Sequence, residues 1–210
     1  LSMPGGSDYM EDWVAQAVRD GSLPESAVDA CAARVIALAL KGKKRPKGKA
    51  FDRQAHDELA RTIAENGAVL LKNQDHILPV AEGEIALIGE MARTMRYQGA
   101  GSSHINPTRL TTLCDALPEV PFAAGCDVQG KVTEESLAEA AELARRVKVA
   151  VVCVGLPDAY ESEGFDRETM AMPEGHLRLI ETVAAANPNT VVVLFCGSAV
   201  ETPWLDRGKA

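Results

Sequence analysis

The chain has 210 residues, enough to bury a sizeable core in one domain with an appendage or in two small domains. Its 46% apolar and 25% charged residues are those of a folded chain rather than a disordered one. The net charge of −8 argues against nucleic acid or an anionic membrane as a partner, because a phosphate surface repels it, and no apolar run reaches the roughly 18 residues that a membrane-spanning helix needs.

In chain order, the opening Leu-Ser-Met-Pro-Gly-Gly and the closing Gly-Lys-Ala read as the ends of a piece of a longer protein. Two helices are predicted first, over 8–19 and 24–40. Ser22 followed by Glu25 fits a capping box for the second, and Val28, Cys31, Val35, Ile36 and Leu38 recur at helical spacing. Both helices need a partner surface, and left uncovered they favour self-association. The run "KGKKRPKGKA" (41–50) holds six basic side chains, two glycines and a proline, which in an acidic chain reads as a solvated linker.

Beyond it, helix and strand alternate. Asp52 caps a helix that ends at Asn66-Gly67, and "AVLLKN" follows as a short strand. "EIALIG" (84–89) and "VPFAAG" (120–125) are further strands, and "TEESLAEAAELARRV" (133–147) is an amphipathic helix. "KVAVVCVGL" is apolar throughout, as a strand buried on both faces would be. Pro173 opens a helix through His176, Leu179, Ile180 and Val183, and "TVVVLFCGS" is the last strand. The alternation implies crossover connections and an α/β fold, a three-layer α/β/α sandwich around a mostly parallel sheet. The boundaries are helices over 1–40, a basic linker over 41–52, and the sandwich over 53–210, truncated at its C-terminus.

Five scattered cysteines without CxxC spacing point to free thiols in a reducing, cytoplasmic setting and give no support for zinc. The four histidines have no HExxH or paired-ligand spacing, so no metal or other cofactor is expected.

An open parallel sheet binds ligands outside the carboxyl ends of its strands. Three polar segments fall there: "YQGAGSSHINP" (97–107), "PDAYESEGFDRETMAMP" (157–173) and "GSAVETPW" (197–204). The glycine loop admits three readings: a structural turn, a carbohydrate-contacting loop or a phosphate cradle. About nine residues between Gly89 and Gly99 weaken the dinucleotide reading, and GxxxxGK[ST] and GxSxG are absent. The stretch "YESEGFDR" packs three carboxylates and an arginine into eight residues. Solvated surface charge is one reading of it. Against that, Glu163 precedes a glycine that lets a substrate approach, and Asp166-Arg167 offers a bidentate pair to hold the loop. Glycosidic cleavage needs a carboxylic acid for the leaving oxygen and a second carboxylate across the bond, and one loop supplies only one of these roles. Glu161 competes with Glu163, since an extended segment points both side chains the same way.

The stretches "ELARTIAENGAVLLKNQDHILPV", "IALIGEMARTMRYQGAGSSHINP" and "VVCVGLPDAYESEGFDRETMAMPEGHLRLIETVAAANPNTVVVLFCGSAVETPW" resemble the α/β sandwich domain of glycoside hydrolase family 3, the β-glucosidase group. The opening "SMPGG" and "AVRDGSLPESAVDACAARVIAL" resemble the end of that family's preceding (β/α)8 barrel. The resemblance implies a retaining, exo-acting enzyme on terminal β-linked glycosides. Glu163 would be its general acid/base, Gly101, Ser102 and Ser103 would form a wall near the leaving group, and Asp166 and Arg167 would position the loop. The family's nucleophile is a barrel aspartate that this chain lacks, and Asp8 does not match it. A fragment with half a site is therefore expected to be inactive without its barrel. Two other readings stand beside this one, a non-catalytic carbohydrate-binding or scaffold module and a nucleotide-binding α/β domain.

Overall fold

A computed structural model of the chain describes residues 9–46, 48 and 50–210. Asp8, with the start of the first predicted helix, and Lys47 and Lys49 of the basic run lie outside the described residues. The chain divides into two units between Gly67 and Ala68.

Among the described residues, the first unit carries three helices, α1 (Met10–Arg19), α2 (Glu25–Lys43) and α3 (Arg53–Gly67), none with a buried residue. Trp13 stacks on Tyr9 with ring centroids 6.5 Å apart, yet it stays 65% exposed. Two sequence expectations change here. Ser22 does not cap α2: its hydroxyl donates to the Ala17 carbonyl, and the N-cap position is Pro24, which has no side-chain donor or acceptor. The helix also runs three residues into the basic segment, where Lys41 and Lys43 meet the negative end of its dipole. Asp52 behaves as expected, its carboxylate accepting from the Ala55 amide at 3.1 Å. The helix it caps groups with the first unit, whereas the boundary read from the sequence joined it to the sandwich.

The second unit is a four-stranded sheet of β1 (Ile85–Ile88), β2 (Phe122–Ala123), β3 (Val149–Gly155) and β4 (Thr190–Phe195), in the order β2-β1-β3-β4 with every pairing parallel. Side chains alternate between two cores. Ile88, Ala150, Val152 and Val154 face α5 (Glu134–Arg145) and α6 (Glu174–Ala186), joined by Leu179, Ile180, Val183 and Trp204. Leu87, Val151, Cys153 and Val191 face the opposite layer, where Met91, Ala92 and the short α4 (Leu113–Ala116) with its flanking loops pack. This is the α/β sandwich of the sequence reading. β3 lies between two neighbours and two layers, so all seven of its residues are buried, which explains its unbroken apolar run.

Local rules place the main helices. Thr133 accepts from the Ser136 amide while Ser136 accepts from the Thr133 amide, a capping box that starts α5, and Pro173 is the N-cap of α6. The strand expected at "AVLLKN" is not formed. Its Val69, Leu70 and Leu71 are exposed and no described strand pairs with it, so the segment has the composition of a strand without a ladder to join. Lys72 instead ties it to the Leu205 and Gly208 carbonyls.

Candidate active site

The strands are parallel, so the segments that leave the carboxyl ends of β1, β3 and β4 emerge on one edge of the sheet. The chain passes from β1 to β2 on one side and later to β3 on the other, which makes the edge between β1 and β3 the topological switch point where such sheets bind ligands. There Ala100 and Ser162 form an isolated parallel bridge, with the Ala100 amide donating to Glu161 O at 3.3 Å and the Glu163 amide donating to Ala100 O at 3.4 Å. The glycine loop and the acidic loop, which the sequence separates by about sixty positions, are one structure.

Glu161 and Glu163 do not act as a matched pair. The segment turns rather than running extended: Glu161 has φ −140° and ψ 57°, Gly164 has φ +85°, and the Phe165 amide closes back on Ser162 O. The two carboxylates therefore meet different surroundings.

Glu161 points inward. Its carboxylate accepts from the Arg96 guanidinium, from the Gly197 amide at 3.0 Å and from the Ser198 hydroxyl, and its side chain is only 12% exposed. Arg96, 11% exposed, also donates to the Leu156 carbonyl at 2.9 Å, and its Nε lies 3.5 Å from Asp158 Oδ1. One ion pair thus joins the segments after β1, β3 and β4. Burial pushes the Glu161 carboxyl up, but the hydrogen bonds from Ser198, Gly197 and Arg96 outweigh it and hold the group below the usual carboxylate range. A carboxyl lowered in the folded state stabilises it above the unfolded value, about 4.3, and that contribution fades as pH falls through the folded value. In a series of denaturant titrations from pH 6 down to 3, Glu161→Gln should flatten the acid-side loss of stability. An unchanged slope would show that the carboxylate is not held this way.

Glu163 points outward. Its Oε2 accepts from the Ser102 amide at 2.8 Å and from the Ser102 hydroxyl, and these two bonds hold the exposed carboxyl below its usual range. Gly101 makes the contact possible. It has φ +89°, and a β-carbon there would lie 2.7 Å from the Glu163 Cβ. Of the wall residues expected from the sequence, Gly101 and Ser102 thus meet Glu163 directly, while the Ser103 hydroxyl turns back to Ala100 O at 3.5 Å. Among the described residues, no atom lies within 4 Å of the place where a Gly164 side chain would start, so that side of the loop is open.

The expected Asp166–Arg167 pair is replaced. Arg167 donates to the Ala199 carbonyl, which still ties the acidic loop to the segment after β4, and Asp166 is exposed. Sequence reasoning missed Arg96, Gly197 and Ser198, since no spacing rule links partners 65 and 36 positions from Glu161. Three thiols of the second unit are held in their protonated, poorly nucleophilic form. Burial pushes Cys126 and Cys153 up to about 12, and burial with the adjacent Glu161 charge raises Cys196, which is exposed by residue area.

The profile of the glycosyl hydrolase family 3 C-terminal domain matches residues 68–210, the whole of the second unit. The chain belongs to glycoside hydrolase family 3. It is 42% identical over 222 residues to the thermostable beta-glucosidase B of Acetivibrio thermocellus, and 42% identical over 227 residues to an exo-alpha-(1->6)-L-arabinopyranosidase of Bifidobacterium longum. All of this chain is covered in both comparisons, against 29% and 30% of those relatives. The crystal structure of the Bifidobacterium adolescentis GH3 beta-glucosidase superposes on 97% of the chain with a TM-score of 0.81 at 42% identity, and the match spans 31% of that protein. This family member therefore spans about three tenths of the length of the relatives it matches.

Proposed function

We propose that the chain is the acid-donating portion of a longer retaining, exo-acting glycosidase of the β-glucosidase type, with Glu163 as the general acid/base and a nucleophilic carboxylate outside this chain. The observation that carries this reading is the contrast between the two glutamates. Glu161 has its oxygens occupied by three donors from two other segments, whereas Glu163 stands exposed at the switch point with an open glycine beside it. Only the second is placed to protonate a leaving oxygen and then take a proton from water. Ser102 favours its ionised form, which suits the base step. The acid step needs the carboxyl raised, and a second carboxylate across the bond, about 5–5.5 Å away in a retaining site, would raise it.

The relatives support a terminal glycoside as the substrate class, and the nucleophile that completes the site belongs to residues beyond this chain. Without them, the chain alone is expected to be inactive. The exposed apolar faces of α1 and α2 then support self-association of the isolated chain, and the five free cysteines support a reducing, cytoplasmic setting. The test is hydrolysis of aryl β-glycosides by the full-length protein and its Glu163→Gln variant. A selective loss with poor leaving groups supports the assignment. Equal activity in both proteins would leave the rival reading, a non-catalytic carbohydrate-binding or scaffold module.

A further inference from the structure

We propose that Arg96 and Glu161 are the positioning pair of the acid/base, setting where Glu163 stands relative to the substrate. Their role rests on Glu163 being the proton donor. A buried ion pair is a weak source of stability, because desolvating both charges offsets most of their attraction, so what this pair supplies is direction. The planar guanidinium fixes angles as well as distances. Arg96 donates to the Leu156 carbonyl and to Glu161, with the Asp158 carboxylate 3.5 Å from its Nε, while Glu161 in turn draws in the Gly197 amide and the Ser198 hydroxyl. Two residues later the bridge to Ala100 delivers Glu163 to Ser102. Beyond Glu163 the loop is open at Gly164 and Phe165, and its next tie is Arg167 to Ala199. The position of the acid is therefore inherited from the Arg96–Glu161 contact on one side, and misplacing a catalytic group by about 1 Å reduces rate about 100-fold.

The experiment compares Glu161→Gln, Arg96→Lys, Glu163→Gln and the Glu161→Gln/Glu163→Gln double variant in the full-length protein. Two aryl β-glycosides are used, one with a good and one with a poor leaving group. The readout is the ratio of their kcat/KM values, which does not depend on the fraction of molecules folded, so purely structural damage leaves it unmoved. Glu161→Gln and Arg96→Lys should each shift the ratio about 10- to 100-fold against the poor leaving group. The double variant should shift it no further than Glu163→Gln alone, because a residue that acts through the acid has nothing left to act on. An unmoved ratio in both single positioning variants, or a double variant that adds the full Glu161→Gln shift, overturns the role of the pair while Glu163 keeps its own. If Glu163→Gln leaves the ratio unmoved, the acid assignment falls and the positioning role falls with it.

Discussion

Glu163→Gln in the full-length protein should lower kcat/KM for a glycoside with a poor leaving group about 10²- to 10⁴-fold, the usual size of general acid catalysis. At about 1.4 kcal/mol per tenfold, that is roughly 3–5 kcal/mol of transition-state stabilisation. An activated aryl glycoside, whose phenolate departs without a proton, should lose far less in bond cleavage and should become limited by breakdown of the covalent intermediate, where the missing base still matters. The amide keeps the shape of Glu163 and can still accept from the Ser102 amide, so the loop keeps its place and the loss reports chemistry. The measurement is steady-state kinetics over a series of leaving groups. A uniform loss across the series would mean that Glu163 supports the loop and donates no proton.

Gly101→Ala should lower turnover strongly and folding stability moderately. The new methyl would lie 2.7 Å from the Glu163 Cβ and 3.1 Å from its Oε2, at a φ of +89° that side chains rarely adopt. The backbone strain is on the order of 1–3 kcal/mol, in an exposed loop outside both apolar cores. The loop relieves the clash by moving Glu163, and we expect a 10- to 100-fold loss on poor leaving groups, with the denaturation midpoint only modestly lowered. Steady-state kinetics together with urea denaturation of the same protein separates the two effects. Full activity in a folded Gly101→Ala protein would contradict the close packing of the glycine loop on the acid.

Much of the fold is legible because its signals are local. α5 announces itself by its amphipathic pattern, α6 by a proline, and β3 and β4 by apolar runs, the first buried along all seven residues and the second half-buried over its last four. The "AVLLKN" segment forms no strand because composition gives the propensity for a strand but not the neighbour that would pair with it. Ser22 does not cap because α2 starts at Glu25 behind Pro24, two residues later than a cap at Ser22 requires, and its hydroxyl donates instead to the Ala17 carbonyl in the last turn of α1. At the site, Glu163 and its glycine are visible as a motif. The division of labour between Glu161 and Glu163 is not, since Arg96, Gly197 and Ser198 reach Glu161 only after the sheet has placed three segments on one edge.

The most direct test of the central claim is azide rescue of Glu163→Ala in the full-length protein with an activated aryl β-glycoside. The activated substrate forms the glycosyl-enzyme without an acid, and azide, already an anion, attacks that intermediate without needing a base. Rate acceleration with a glycosyl azide of retained β configuration, read by proton NMR of the anomeric centre, is the result expected of an acid/base glutamate in a retaining site. No acceleration, or a glycosyl azide of inverted configuration, would contradict it.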